Sequence, residues 1–166
     1  MLKNNVCVLL ASHNGEQFIS EQLDSILKQV NVNVSIFISD DSSNDKTLEI
    51  LRKYEKKNNN VFILNSVSGL GSASKNFLHL VKSVNLDKFD FIAFSDQDDI
   101  WHSNKLCISL ELIDKLGVDF FSCDVDAFWP SGSSKTLKKS HPLKKFDYFF
   151  ESAGPGCTYV ARTVVF

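Results

Sequence analysis

The stretch "FDFIAFSDQDDIW", Phe89 to Trp101, passes from an apolar run into three carboxylates, Asp96, Asp98 and Asp99. A short apolar run closed by polar turn residues reads as a strand buried on both faces, so a central strand is predicted over Phe89 to Ser95. Like charges held this close raise one another's pKa or call for a cation. Acids delivered to the carboxyl end of a buried strand therefore pose a question about a ligand as well as a fold.

Outward from this strand the same design recurs. Strands are expected at Val6 to Ala11, Val34 to Ser39, Val61 to Leu64 and Val118 to Cys123, all rich in β-branched and aromatic residues. Between them lie stripes of helical period: Phe18/Ile19, Leu23, Ile26/Leu27 and Val30; Leu48, Leu51 and Tyr54; Phe77/Leu78, Val81 and Val84; Leu106, Leu110, Ile113 and Leu116. Strands alternating with such stripes predict βαβ units: an α/β fold with a mostly parallel sheet and helices on both faces. After Cys123 the rhythm breaks. "WPSGSS" signals a turn, and the lysine-rich "KTLKKSHPLKK" follows it.

At 166 residues the chain is one domain by length, with 43% hydrophobic and 23% charged residues and a formal net charge of -2. That balance leaves no general electrostatic footprint for nucleic acid, which is excluded as a partner. The apolar opening "VCVLLA" is too short to span a bilayer and lacks a signal peptide's flanks, which points to the cytoplasm. Cys7, Cys107, Cys123 and Cys157 show no CxxC spacing and are expected to be inert core thiols. The four histidines show no metal-ligand spacing, and His79 falls on a predicted helix as a partly exposed residue.

In an open parallel sheet, ligands bind beyond the carboxyl ends of the strands. The segments there are "SHNG", "DDSSND", "NSVSGLGSASKN" and "DQDD". Mg²⁺ is usually held by one or two protein carboxylates, with water and phosphate oxygens filling the remaining positions, and Asp96 and Asp98 fit that demand. The spacing is common in solvated turns, and a second copy exists at Asp124 and Asp126. Asp and Ser are also favoured in turns and at helix N-caps, so capping is weighed for Asp40 and Asp45 and ligand contact for Asp41. Gly69 and Gly71 permit a close turn but form no phosphate-cradling P-loop, since no GKS or GKT follows.

Taken in order, "LLASHNGEQFISEQLDSIL", "ISDDSSNDKT", "GLGSASKNF" and "FSDQDDIWHSNKL" resemble the nucleotide-sugar half of a family 2 glycosyltransferase with the GT-A fold, of the bacterial rhamnosyltransferase-like type. The tail "GPGCTYVARTVVF" resembles the strand-and-helix entry that follows in that family. The resemblance implies that residues 1–123 form the nucleotide-sugar-binding α/β part and that 124–166 begin an incomplete acceptor-side segment. It also implies that Ala11, Ser12 and His13 line the base and ribose pocket, with His13 where the family more often has Tyr. Asp41 would contact the base or ribose, and Lys75 would meet the diphosphate or stand as a plain surface lysine. Asp96, Gln97 and Asp98 would form the D-x-D segment. Asp98 is then the direct ligand of Mg²⁺ or Mn²⁺, and Asp96 serves the ribose or the metal through water. Trp101 would pack beside the sugar pocket, outside the deep core, and Asp124 and Asp126 would serve as a turn or a secondary contact.

The implied reaction is transfer of a sugar from a nucleoside-diphosphate sugar to an acceptor hydroxyl, with inversion, in bacterial surface polysaccharide synthesis. A divalent cation stabilises charge on the departing diphosphate, and a carboxylate general base takes the acceptor's proton. In the family that base lies downstream of the motif matched by "GCTYVARTVVF", beyond Phe166, and nothing matches Glu151 to it; a truncated chain is expected. The alternative is a nucleotide-sugar-binding module without turnover. Lys135 to Lys145 reads either as a solvated loop or as a peripheral contact with the inner face of a membrane carrying a lipid-linked acceptor.

Overall fold

The computed structural model describes residues 3–65, 69–129, 131–138 and 154–166. Lys139, Lys144 and Lys145 of the lysine-rich stretch, Pro130 of the turn signal and Glu151 lie outside the described residues. In chain order the elements are β1 (Asn5–Ser12), α1 (Ile19–Leu27), β2 (Asn33–Asp40), α2 (Thr47–Lys57), β3 (Val61–Ile63), α3 (Ala73–Ser83), β4 (Phe91–Ser95) and α4 (Lys105–Leu116). Then come β5 (Phe120–Phe121), β6 (Val125–Phe128), β7 (Ser134–Leu137) and β8 (Val160–Arg162).

Six strands form one sheet in the order β3-β2-β1-β4-β8-β5, and β6 and β7 pair as a separate antiparallel hairpin. β1 runs parallel to both β2 and β4, and β2 to β3, as helical crossovers require. From Val6 to Ser12, β1 is enclosed because its successive side chains serve both layers. Val6, Val8 and Leu10 pack with Ile19, Leu23 and Ile26 of α1, Leu51 of α2, and Leu106, Leu110 and Ile113 of α4. Cys7, Leu9 and Ala11 face the other way, onto Leu80 of α3 and Val84 just after it. Each fully buried Leu or Ile contributes roughly 1.5–3 kcal/mol of transfer free energy, so these layers are what hold the strand tips in place.

The expected α/β fold with helices on both faces is observed, with local differences. Phe18, Val30, Leu78 and Leu116 are exposed, and the buried face of α3 runs through Asn76, Leu80 and Val84. The fifth strand shrinks to Phe120–Phe121. Its expected start is consumed by helix termination: Gly117 closes α4 at φ 62, and the Val118 N–H donates back to the Ile113 carbonyl. Phe89 likewise closes a 3₁₀ turn over Leu86–Lys88, so β4 begins only at Phe91. β8, from the tail, enters the sheet between β4 and β5 and runs antiparallel to both, so the sheet draws on chain from either side of residue 123. Among the described residues no helix is long and apolar enough to cross a membrane.

Candidate functional site

The parallel register sets Ser12 at the end of β1 beside Asp40 at the end of β2, and Leu10 beside Ser95 at the end of β4. Three loops therefore meet at one edge, and polar side chains staple them together. Asp40, nearly fully buried, accepts from Ser12 Oγ at 2.9 Å, from Ser43 Oγ at 2.6 Å and from the Ser43 N–H at 3.0 Å. It organises the turn, as its capping reading required. Asp45 accepts from the Thr47 N–H at 2.9 Å at the start of α2 and from the Glu16 N–H at 3.1 Å across the loops. Desolvation pushes its carboxyl up, but the Thr47 hydroxyl and these backbone bonds together outweigh it and hold the carboxyl below the usual range.

His13 is held in one tautomer. Its Nδ1 lies 2.7 Å from the Asp41 carbonyl, an acceptor only, so Nδ1 carries the proton. Nε2, 3.1 Å from Asn14 Nδ2, is then the acceptor. The Asn14 amide is oriented independently, because its Oδ1 accepts from the Asn44 N–H at 2.8 Å. The backbone of His13 is also occupied: its N–H donates to Gln97 Oε1 at 2.8 Å and its carbonyl accepts from Gln97 Nε2 at 3.0 Å. Gln97, the residue between the two aspartates of D-x-D, thus bolts the β4 loop to the β1 loop. Gly15 belongs to the same joint, since a Cβ there would overlap the Gln97 carboxamide.

Asp41 spends its carboxylate on the glycine loop, accepting from the Leu70 N–H at 3.0 Å and the Gly71 N–H at 2.7 Å. Gly69 and Gly71 adopt φ of 80° and 70°, the left-handed region that their lack of a Cβ permits. The result is a cavity of about 570 Å³ lined by Ala11, Ser12, His13, Asp41, Gly71, Ser72, Ala73, Asn76, Asp96, Gln97 and Asp98. Every sequence-predicted binding residue except Lys75 lines it. Lys75 is exposed on the first turn of α3, where its N–H meets the N-cap Ser72 Oγ. Asn76, one position on, is the residue that reaches the cavity; its Nδ2 donates to the Ser39 carbonyl at 3.0 Å.

Asp98 also borders a second cavity of about 700 Å³, together with Asp99, Trp101, His102, Lys105, Asp126, Trp129 and Cys157 among others. Here several expectations change. Trp101 is 6% exposed and belongs to the main core while also lining this cavity. The hairpin's pairing turns the second acidic pair from a turn into the lead-in and body of β6. There Asp126 accepts from Thr136 Oγ1 at 2.6 Å and lies 3.5 Å from His102 Nε2. Of the cysteines only Cys7 is a fully enclosed core thiol; Cys107, Cys123 and Cys157 are partly buried, and Cys157 lines the cavity beside Asp99.

The electrostatics centre on the acidic loop. Burial first, then Asp99 and Asp98, push the Asp96 carboxyl up, and Lys105 opposes them. Among the described residues Asp99 Oδ2 is enclosed without a hydrogen-bond partner, although the Asp99 carboxylate interacts with the Cys157 thiol. Ligand atoms of Asp96, Asp99 and Cys157 lie within 4.8 Å of one another. Burial and the Asp99 carboxylate push the Cys157 thiol up to about 12, and a soft sulfur is a poor match for a hard divalent cation. The carboxylates of Asp96 and Asp99 remain, with the exposed Asp98 on the same loop but outside that cluster. Their under-neutralised oxygens fit a hard divalent cation. Sequence reasoning missed Lys105: burial lowers its ammonium to about 8, against the upward pull of the Asp99 and Asp96 carboxylates. Its only signal was a polar residue inside the "DDIWHSNKL" stretch.

Known proteins resemble this chain in sequence and in fold. The chain is 45% identical over 154 residues to the dTDP-rhamnosyl transferase RfbG of Shigella flexneri, covering 92% of this chain and 53% of that protein. It is 30% identical over 156 residues to the UDP-Glc:alpha-D-GlcNAc-diphosphoundecaprenol beta-1,3-glucosyltransferase WfgD of Escherichia coli, covering 93% and 58%. The chain thus spans about half the length of these curated relatives. Among solved structures, S. aureus TarS 1-349 in complex with UDP superposes with a TM-score of 0.72 at 22% identity, over 99% of this chain and 48% of that one. The mannosyltransferase PcManGT from Pyrobaculum calidifontis, in complex with GDP-Man and Mn2+, does so with a TM-score of 0.70 at 15% identity, over 99% and 46%. The fold is that of the GT-A glycosyltransferases. Residues 7–161 match the family described as Glycosyl transferase family 2, and the chain belongs to that family.

Proposed function

We propose that this chain forms the donor site of an inverting glycosyltransferase. The enzyme would move a sugar from a nucleoside-diphosphate sugar to a hydroxyl of a bacterial surface glycan or its lipid-linked precursor. The observation that carries this reading is the pair of cavities joined at Asp98: one is lined by His13, Asp41, Asn76 and Gln97, and the other opens over Trp101 and Lys105. Base and ribose occupy the first, against the His13 ring and the loop that Asp41 closes. The diphosphate lies at the Asp98 boundary, and the sugar enters the second. A lipid-linked acceptor would bring the protein to the inner face of the membrane; the name of the relative WfgD specifies a diphosphoundecaprenol acceptor.

Asp98, exposed at the boundary, and Asp96 behind it would hold Mg²⁺ or Mn²⁺, with Asp99 close by. A divalent cation there, when bound, supplies Lewis-acid stabilisation of charge on the leaving diphosphate. The chain's own part is placement. The Gln97–His13 joint fixes the acidic loop against the base pocket, and Trp101 and Lys105 shape the wall beside the sugar. Inversion requires a carboxylate base on the acceptor side, opposite the leaving group.

Calorimetric titration of UDP, dTDP and GDP, with and without Mn²⁺, tests the reading in wild type and Asp98→Ala. Nucleotide binding is expected to need the ion and to weaken at least ~10-fold in the variant. Equal, metal-independent binding by both proteins sinks the assignment.

A further inference from the structure

The ammonium of Lys105 is pinned beside the acidic loop. Nζ lies 3.3 Å from the centroid of the Trp101 ring and donates to the Cys157 carbonyl at 2.6 Å. The residue that carries this ring is itself anchored through its main chain, because the Trp101 backbone N–H donates to Ser25 Oγ at 3.0 Å and Ser25 Oγ donates to the Gln22 carbonyl at 2.8 Å. Lysine normally leaves its strongly hydrated head in water on a mobile stem, so fixing and enclosing it costs both entropy and hydration. The Trp101 ring and the Cys157 carbonyl offset part of that cost, and the carboxylates of Asp98 and Asp99, which line the same cavity, and of Asp96 offset more of it. Three carboxylates, Asp96, Asp98 and Asp99, against this one ammonium leave a charge of about −2, the complement of a single divalent cation.

We infer that Lys105 is the resident counter-charge of the donor site: it weakens the hold of the empty site on a divalent cation and strengthens the hold of the metal-loaded site on the diphosphate. The inference rests on the donor-site reading above and assigns a positioning role to a residue outside the D-x-D segment. Its physical content is a pair of opposite signs. A fixed positive charge repels an arriving cation and attracts an arriving diphosphate, whereas a residue that merely shapes the wall would move both affinities in the same direction when removed. The cation then favours entering with the diphosphate over occupying the bare acidic loop.

The test compares the 166-residue wild type with Lys105→Met, Lys105→Gln and Lys105→Arg. Gln keeps an N–H donor for the Cys157 carbonyl without charge; Arg keeps the charge in a different shape. Free Mn²⁺ is followed by electron paramagnetic resonance during titration of Mn²⁺ alone. UDP and dTDP are then titrated calorimetrically at saturating Mn²⁺. Both neutral variants are expected to bind Mn²⁺ about 5- to 20-fold tighter and nucleoside diphosphate at least about threefold more weakly, with Arg close to wild type. Unchanged or weaker Mn²⁺ binding in Lys105→Gln overturns the inference, as does Arg behaving like Gln, or wild type binding no Mn²⁺. Charge-dependent Mn²⁺ shifts without nucleotide binding by any of the four proteins refute the donor-site reading and the diphosphate half of the inference, while the Mn²⁺ comparison still upholds Lys105 as a counter-charge.

Discussion

Burial and the neighbouring Asp99 and Asp98 raise the pKa of Asp96, and Lys105 offsets only part of that effect. A carboxyl raised in the folded state holds its proton more tightly there than in the unfolded chain. Its stabilising contribution is complete in acid and is lost as pH rises through the raised value. Above that raised value the ionised Asp96 is therefore a cost that the fold carries for its site. Asp96→Asn is expected to raise the thermal midpoint at pH 7 by roughly 2–4 °C while weakening Mn²⁺ binding. The gain shrinks as pH falls through the window between the unfolded and raised values. Melting scans at about pH 7 and pH 4 check this, and a variant less stable than wild type at pH 7 contradicts it. His13 shows the complementary case, a site residue whose tautomer is set by the Asp41 carbonyl and the Asn14 amide.

The site is built from loops, yet the loops behave as one element because their polar groups are spent on one another. Ser43 Oγ takes the Asn14 N–H at 2.8 Å, Thr47 Oγ1 takes the Gly15 N–H at 2.8 Å, and Glu16 Oε2 takes the Lys46 N–H at 2.9 Å. The weak point is Gly15, where the backbone passes against Gln97 with no room for a methyl group. Gly15→Ala is expected to displace the Gln97 carboxamide and break its paired bonds to His13, at a cost of about 1–3 kcal/mol. Nucleoside diphosphate affinity should fall several-fold with it. Denaturant midpoints and calorimetry on the same samples check the two effects together; unchanged affinity would show that the joint does not position the site. α3 contributes from its own terminus, where Ser72 caps the helix and Asn76 turns its buried face to the cavity.

At the scale of the molecule, the site sits at the switch point of the sheet, where β1 is flanked by β2 on one side and β4 on the other. A ligand bridging those loops ties the halves of the sheet together, so Mn²⁺ with nucleoside diphosphate should raise the melting temperature. At a hundredfold excess over Kd the linkage is about 2.7 kcal/mol, and EDTA should remove the Mn²⁺-dependent part. Calorimetric scans measure it; no shift with either ligand would mean that the loops do not bind. Much of this plan was legible in the sequence, because apolar period and turn chemistry act over a few residues. The four parallel strands, the helical stripes and the acids beyond Ser95 are local facts of that kind. The two-residue β5 and three-residue β8 were not, since so short a strand has no period to read and gains its identity from its neighbours. Side-chain partnerships escaped for the same reason. Asp41 closes on Gly71 30 positions away, Lys105 meets the Cys157 carbonyl 52 away and Gln97 grips His13 84 away. The sequence by itself determined which groups stand at the ends of the strands. Only the tertiary structure decided which of them share a cavity and which neutralise one another, because strand order and register set those distances.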